Sequence, residues 1–218
     1  MTRQSFHQEL ADLRRDLARM GTRVEEAIAG ALRSLIQRDT ALAQQVIDGD
    51  DAIDAMELEI EERCLTLVAL QQPMASDLRV IGATLKAITD LERLADHAVD
   101  IARITIRLGD QPFIKPLIDI PRMGEIAQGM VRDALTAYIR QDADLAYDMI
   151  KRDHELDHLY RQIFDELVPI MGRDPSTVPQ AAQLLFVAMH LERIGDHATN
   201  IGEWVIYMVT GERRELNE

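Results

Sequence analysis

Four pairs of carboxylates stand out, each with its members four residues apart: Asp50/Asp54, Glu92/Asp96, Asp153/Asp157 and Glu192/Asp196. Residues at i and i+4 sit one above the other on a helix, with Cβ atoms roughly 5–6 Å apart. Two carboxylates so placed repel unless a cation or a basic side chain lies between them. A chain that keeps such a pair four times gives up stability, which points to a use. The rows extend further. Asp100 continues Glu92/Asp96, Asn200 continues Glu192/Asp196, and Glu57 and Glu61 continue Asp50/Asp54. Carboxylate oxygens are hard ligands that suit magnesium, manganese, calcium and iron. Acid rows from two neighbouring helices supply four or more carboxylates to one surface site, including a multinuclear one. The commoner origin of an acidic row is a solvated helix face, and Arg93 and Arg193 lie beside the acids to neutralise them in part. Repetition is what separates these rows from ordinary ones.

The elements that must position them are helices. Apolar residues recur three or four apart along almost the whole chain. Leu10, Leu13, Leu17, Met20, Val24, Ile28, Ala31 and Leu35 predict a first helix over about 5–38. Asp39-Thr40 interrupts it, and a second runs to about Leu70, where Gln71-Gln72-Pro73 breaks the pattern. A third spans about 76–108 with Ser76 or its neighbour as cap. Gly109-Asp110-Gln111-Pro112-Phe113-Ile114-Lys115-Pro116 is the richest breaker segment and predicts a boundary between 1–111 and 112–218. A fourth helix over about 119–141 and a fifth over about 142–171 follow. A sixth over about 177–210 has Ser176 or Thr177 as cap and Gly211 as stop.

The two halves match. Ile88–Ile101 aligns with Ala188–Ile201 at a constant offset of 100, and Ile47–Asp54 with Ile150–Asp157 at an offset of 103. The predicted fold is all-α: two tandem, pseudo-symmetric three-helix bundles, because two repeats are too few for a solenoid. At about 100° per residue, Leu91, Leu94, Ala98 and Ile101 form the core stripe of the third helix. Glu92, Asp96 and Asp100 lie opposite, and the sixth helix repeats that phase. Asp50 and Asp54 sit roughly a quarter turn from Ile53, Met56, Ile60 and Leu67. The acid rows therefore lie on or beside the surface, unlike the inward Glu and Glu-x-x-His set of ferritin-like di-iron bundles. His97 and His197 flank the core stripe and read as half-buried packing residues.

Composition removes other classes. Aromatics make up 4% and the mix is rich in helix formers, which argues against an all-β chain. A net charge of −14 disfavours nucleic acid and unaided binding to an anionic membrane. The single Cys64 falls on an apolar stripe and reads as a core thiol. The N-terminal segment has no apolar h-region and no stretch is long enough to span a bilayer, so the expected compartment is the cytoplasm. Arg79 is oddly placed near a helix N-terminus and is a weak binding candidate. Trp204, Tyr207 and Met208 read as core or dimer packing. There is no glycine-rich phosphate loop, nucleophile elbow or Ser/His/Asp grouping. A phosphorylated His97 or His197 is disfavoured, because the acidic surroundings would repel a phosphoryl group.

These residues resemble the PhoU family of bacterial phosphate-transport accessory proteins. The matching segments are Met20-Gly21 and Val24, Asp50-x-x-x-Asp54, Asp77-Leu78-Arg79, Leu91-Glu92-Arg93-x-x-Asp96-x-Ala98, and Leu191-Glu192-Arg193-Ile194-Gly195-Asp196-His197-Ala198-Thr199-Asn200-Ile201. The resemblance implies a cytoplasmic, homodimeric adaptor that represses phosphate uptake and the phosphate-starvation response. Its implied partners are the ATPase subunit of the phosphate ABC transporter and a membrane sensor histidine kinase, with membrane association only through them. The resemblance also implies multinuclear sites for iron, zinc, manganese or magnesium on Asp50/Asp54, Glu92/Asp96, Asp153/Asp157 and Glu192/Asp196. Asn200 standing where the first repeat has Asp100 implies a weaker second site. The expected role is not catalytic. The competing readings are a carboxylate-metal phosphohydrolase and a metal-free helical scaffold.

Overall fold

The computed structural model describes residues 3–213 and 216. The first half comprises α1 (Arg3–Gln37), α2 (Thr40–Asp48), α3 (Asp50–Gln71) and α4 (Ser76–Leu108). The second comprises α5 (Asp119–Arg140), α6 (Ala143–Ile150), α7 (Asp153–Arg173) and α8 (Val178–Thr210). No strand occurs among the described residues. The fold is two pseudo-symmetric three-helix bundles, as the periodicity predicts.

One feature of the helix pattern differs from expectation. The second and fifth predicted helices are each divided into a short and a long piece, at Gly49 and at Lys151-Arg152. The Gly49 N–H still donates to Gln45 O at 3.1 Å, so the chain turns without losing that bond. Each break puts acids into a new first turn, Asp50 and Asp51 on α3 and Asp153 and Glu155 on α7. The positive end of a helix dipole favours carboxylates there, whereas mid-helix they would only repel one another.

Capping follows the repeat. The Asp39 side chain accepts from the N–H groups of Ala41 and Leu42 at 3.0 and 2.9 Å, and Asp142 accepts from Leu145 at 3.0 Å. The α4 cap, expected at Ser76 or its neighbour, falls on the neighbour Ala75 at φ 46° with no side-chain bond, and Ser76 lies inside the helix. Thr177 holds the α8 cap position, as read from the sequence, without a side-chain capping bond, while Asp174 caps the preceding 3₁₀ turn at Pro175–Thr177 by accepting from Ser176 N at 3.0 Å. Gly211 closes α8 at φ 78°, as read from the sequence.

The halves pack through paired antiparallel crossings. On α4 and α8, Arg79 meets Met208, Asp90 meets His197 and His97 meets His190. As one number rises the other falls, so the helices run antiparallel. Arg79 Nε donates toward the Met208 carbonyl at 3.5 Å, which accounts for an arginine near a helix start: it serves the carbonyl end of α8. On α1 and α5 the same symmetry recurs. A Cβ at Gly21 would stand 2.5 Å from Leu135 Cδ2, and one at Gly124 2.6 Å from Leu32 Cδ1. Buried residues from both halves form one contiguous core. The connecting segment is strapped down too. Gln180 is buried, accepts from Ile114 N at 2.5 Å and donates to Pro112 O at 3.1 Å, while Phe113, Ile114 and Leu117 pack on the core.

These close approaches give a stability prediction. Gly21→Val forces Leu135 from its place and is expected to destabilise the protein by about 1–3 kcal/mol. Combining it with Leu135→Ala should cost less than the sum of the two changes. Gly82 lies inside α4 with nothing within 4 Å of an added Cβ, so Gly82→Ala should stabilise by about 0.5–1 kcal/mol. Urea unfolding of the four variants checks both signs.

Candidate functional site

The first acid cluster forms where α3 lies along α4. Asp50, Glu57, Glu92 and Asp96 are half-buried and Asp54 is exposed. Partial burial pushes the Asp50 carboxyl up to about 6, with Asp54 and Asp96 adding to it. Glu92 is raised by burial and then by Asp96, with Glu57 and Asp54 contributing, and Glu57 is raised mainly by burial. The two rows therefore face one another across the helix pair. Arg93 counters them from α4, with Nη1 3.0 Å from Asp96 Oδ2 and Nε 3.3 Å from Glu92 Oε2.

The second cluster repeats the first between α7 and α8. Asp153, Asp157, Glu192, Arg193, Asp196, His197 and Asn200 line an open depression of about 430 Å³. Burial raises Asp153 to about 6, with Asp196 and Asp157 next, and burial is also the main cause of the upward shifts at Glu192 and Asp196. Arg193 Nη1 lies 3.0 Å from Asp196 and Nε 3.6 Å from Glu192, and Arg161 lies 3.3 Å from Asp157.

Among the acid rows Asp153 lies beside the surface rather than on it: it lines the open depression yet is only 9% exposed. The cause is Gly195, whose missing side chain lets α7 approach α8. A Cβ there would strike Leu156 and stand 3.1 Å from Asp153 Oδ1. That Oδ1 is buried without a hydrogen-bond partner. An orphaned carboxylate oxygen beside three further acids fits a cation, and an all-oxygen donor set fits a hard one.

Asp100 and Asn200 part from the acid rows. Asp100 Oδ1 accepts from Arg103 at 3.1 Å, and its Oδ2 lies 3.9 Å from His190 Nδ1. The Asn200 amide donates to Asp90 Oδ1 at 3.2 Å while still lining the second depression. The position matching Arg103 at offset 100 is Glu203. Asp90 and His190 did not figure as candidates in the sequence reading. The only signal for them was that one position carries ionisable residues in both repeats. His97 and His197 are half-buried as expected, yet both bond across the repeat interface: His197 Nδ1 lies 2.9 Å from Asp90 Oδ1 and His97 Nδ1 3.1 Å from His190 Nδ1. Burial pushes His97 down to about 4 and lowers His190. Cys64 is buried, with its thiol pushed up to about 12, as befits an inert core thiol. Trp204 stacks edge-on with Tyr207 at 5.8 Å and carries the Arg213 guanidinium 5.2 Å above its ring.

The raised carboxyls set a pH dependence. Asp153 binds its proton more tightly folded than unfolded, so its charge costs stability above about pH 6, and that cost disappears below about pH 4. Asp153→Asn should therefore stabilise chelator-treated protein at pH 7, on the order of 1 kcal/mol. The gain should shrink as pH falls from 6 to 4. Denaturant unfolding of both proteins across that range reads it.

A PhoU domain model matches residues 17–105 and again 120–205, which embraces both acid clusters. The chain is 44% identical to the "Phosphate-specific transport system accessory protein PhoU homolog" of Clostridium acetobutylicum, over the full length of both chains. It is 42% identical to the protein of the same name from Pseudomonas putida, covering 95% of this chain and 82% of that one. The crystal structure of PhoU from Pseudomonas aeruginosa superposes with a TM-score of 0.92 at 41% identity, covering 95% of this chain and 100% of that one. The phosphate transport system regulatory protein PhoU from Streptococcus pneumoniae superposes at 0.91 with 31% identity, covering 97% and 100%. Two domain matches, full-length relatives and a shared fold place the chain in the PhoU family.

Proposed function

We propose that this protein is a non-catalytic regulator of phosphate transport that docks through cation-loaded carboxylate clusters. Relatives named as accessory proteins of the phosphate-specific transport system support the regulatory part. The observation that carries the metal part is the buried, unpartnered Asp153 Oδ1 inside a cluster of four acids. Asp50, Asp54, Glu92 and Asp96 would hold the first cation group, and Asp153, Asp157, Glu192 and Asp196 the second. Iron, manganese, magnesium or zinc bound there would offset the repulsion within each cluster. It would also turn an acidic face into one able to bridge to acidic partner surfaces.

The partners proposed are the ATPase subunit of the phosphate transporter and a membrane sensor histidine kinase, with the protein working from the cytoplasm as a homodimer. No helix among the described residues is long and apolar enough to cross a membrane, so attachment would run through those partners. The two halves proposed as domains are 1–111 and 112–218.

Two measurements test this reading. Tag-free protein titrated with manganese should bind it, and the pair Asp153→Asn/Asp157→Asn together with Asp50→Asn/Asp54→Asn should lower the affinity at least tenfold. Equal binding by wild type and variants would remove the carboxylate sites. Deleting the gene should derepress phosphate-starvation enzymes in phosphate-rich medium. Repression that stays intact would remove the regulatory role.

A further inference from the structure

Where α4 crosses α8, each repeat hands polar side chains to the other, and the two exchanges are not chemically equal. One side joins Asp90 of the first repeat to His197 and Asn200 of the second. The symmetric side joins His190 of the second repeat to His97 and Asp100 of the first. Positions 90/190, 97/197 and 100/200 are the same three places in the repeat, with partners exchanged. The duplication thus built two equivalent niches, and substitution left one with two imidazoles and a carboxylate. The other has one imidazole, a carboxylate and an amide.

We propose that His97, Asp100 and His190 form a binding site for a borderline divalent ion of the zinc class, one per chain, separate from the carboxylate clusters. One ligand atom from each residue lies within 4.8 Å of the other two. The Nδ1 atoms of His97 and His190 are 3.1 Å apart. Two ligands bound to one zinc at roughly 2.0–2.1 Å in tetrahedral geometry stand about 3.3 Å apart, so the ring pair is already spaced to chelate. The same spacing would serve a hydrogen bond between two neutral rings, and the carboxylate decides between the two. Asp100 Oδ2 sits 3.9 Å from His190 Nδ1, too far for a hydrogen bond, yet the carboxylate keeps an oxygen within 4.8 Å of a nitrogen of each ring. It completes a two-His, one-carboxylate set.

The surroundings favour loading. Asp100 is engaged by Arg103 at the surface, with side chains 41% and 52% exposed. Such exposed pairs are worth about 0–1 kcal/mol, so releasing one costs little. The His190 side chain is only 13% exposed, so the nitrogen end is sheltered and the carboxylate end faces water. A water would take the fourth position. The Asp90/His197/Asn200 niche is an internal control. It has one imidazole, and its aspartate is already bonded to both partners. Ligands from α4 and α8 make the ion a staple between the two halves of the molecule.

The full-length, tag-free, metal-stripped chain is titrated with cobalt(II), whose visible ligand-field band is intense only in tetrahedral sites. The expected result is such a band saturating at one ion per chain, with affinity falling at least tenfold in His97→Gln, His190→Gln and Asp100→Asn. His197→Gln should keep it, and so should Asp50→Asn/Asp54→Asn and Asp153→Asn/Asp157→Asn. Manganese binding by the carboxylate clusters should be unchanged in His190→Gln, so loss of one site is read separately from loss of the other. Asp100→Asn leaves both rings in place and guards against a misfolded ring variant. Absence of the band in wild type, or equal cobalt affinity in all three ligand variants, overturns the proposal.

Discussion

The antiparallel crossing of α4 and α8 is the constraint from which the rest of the molecule follows. Each helix must bury one face in its own bundle and another against its symmetry mate. Leu91, Leu94, Ala98 and Ile101 on one helix, and Leu191, Ile194, Ala198 and Ile201 on the other, are all fully buried. Small residues make the approach possible at several levels. Gly195 and Gly202 admit Leu156 and Met149 from the helices alongside α8, and Gly21 and Gly124 seat Leu135 and Leu32 where α1 crosses α5. With two crossings fixed by one pseudo-two-fold relation, only the outer flanks of α4 and α8 remain for the acid rows. α3 and α7 then complete each cluster from the side.

Those clusters are built against electrostatic preference. Carboxylates four apart on one helix meet a second pair from the next, in partly desolvated surroundings that disfavour charge. Two features soften the conflict. The breaks before Asp50 and Asp153 place both at helix N-termini, where the dipole helps. Arg93 and Arg193 each span two acids of their own helix. Neither is sufficient: Asp50 and Asp153 still rise to about 6. Surplus negative charge and an unpartnered buried oxygen are what the proposed cations would offset.

Duplication allows each feature to be compared with its own copy. The clusters themselves match residue for residue at Asp50/Asp153, Asp54/Asp157, Glu92/Glu192, Arg93/Arg193 and Asp96/Asp196. The copies diverge within the clusters at Glu57/Tyr160 and Ala95/Gly195, and at the seam between repeats at Asp90/His190 and Asp100/Asn200. Carboxylates dominate the outer flanks, while His97 and His190 meet at the seam and His197 reaches both the seam and the second depression.

The amino-acid sequence by itself determined whatever depends on spacing within one helix. The 3.6-residue period placed the helices and their buried faces, and the offsets of 100 and 103 revealed the duplication. The i, i+4 pairs exposed the acid rows, because residues on one helix keep their relation whatever the helix packs against. Tertiary structure alone decided what depends on register between helices. It buried Asp153 beneath the gap at Gly195, divided two helices ahead of their acids, and sent Arg79 to the far end of α8. It also turned Asp100 toward His190 and joined Asp90 to His197, pairs separated by 90 and 107 positions. No periodicity within a strand of sequence encodes such pairings. They arise from where two helices cross, and that is set by the summed packing of side chains on both.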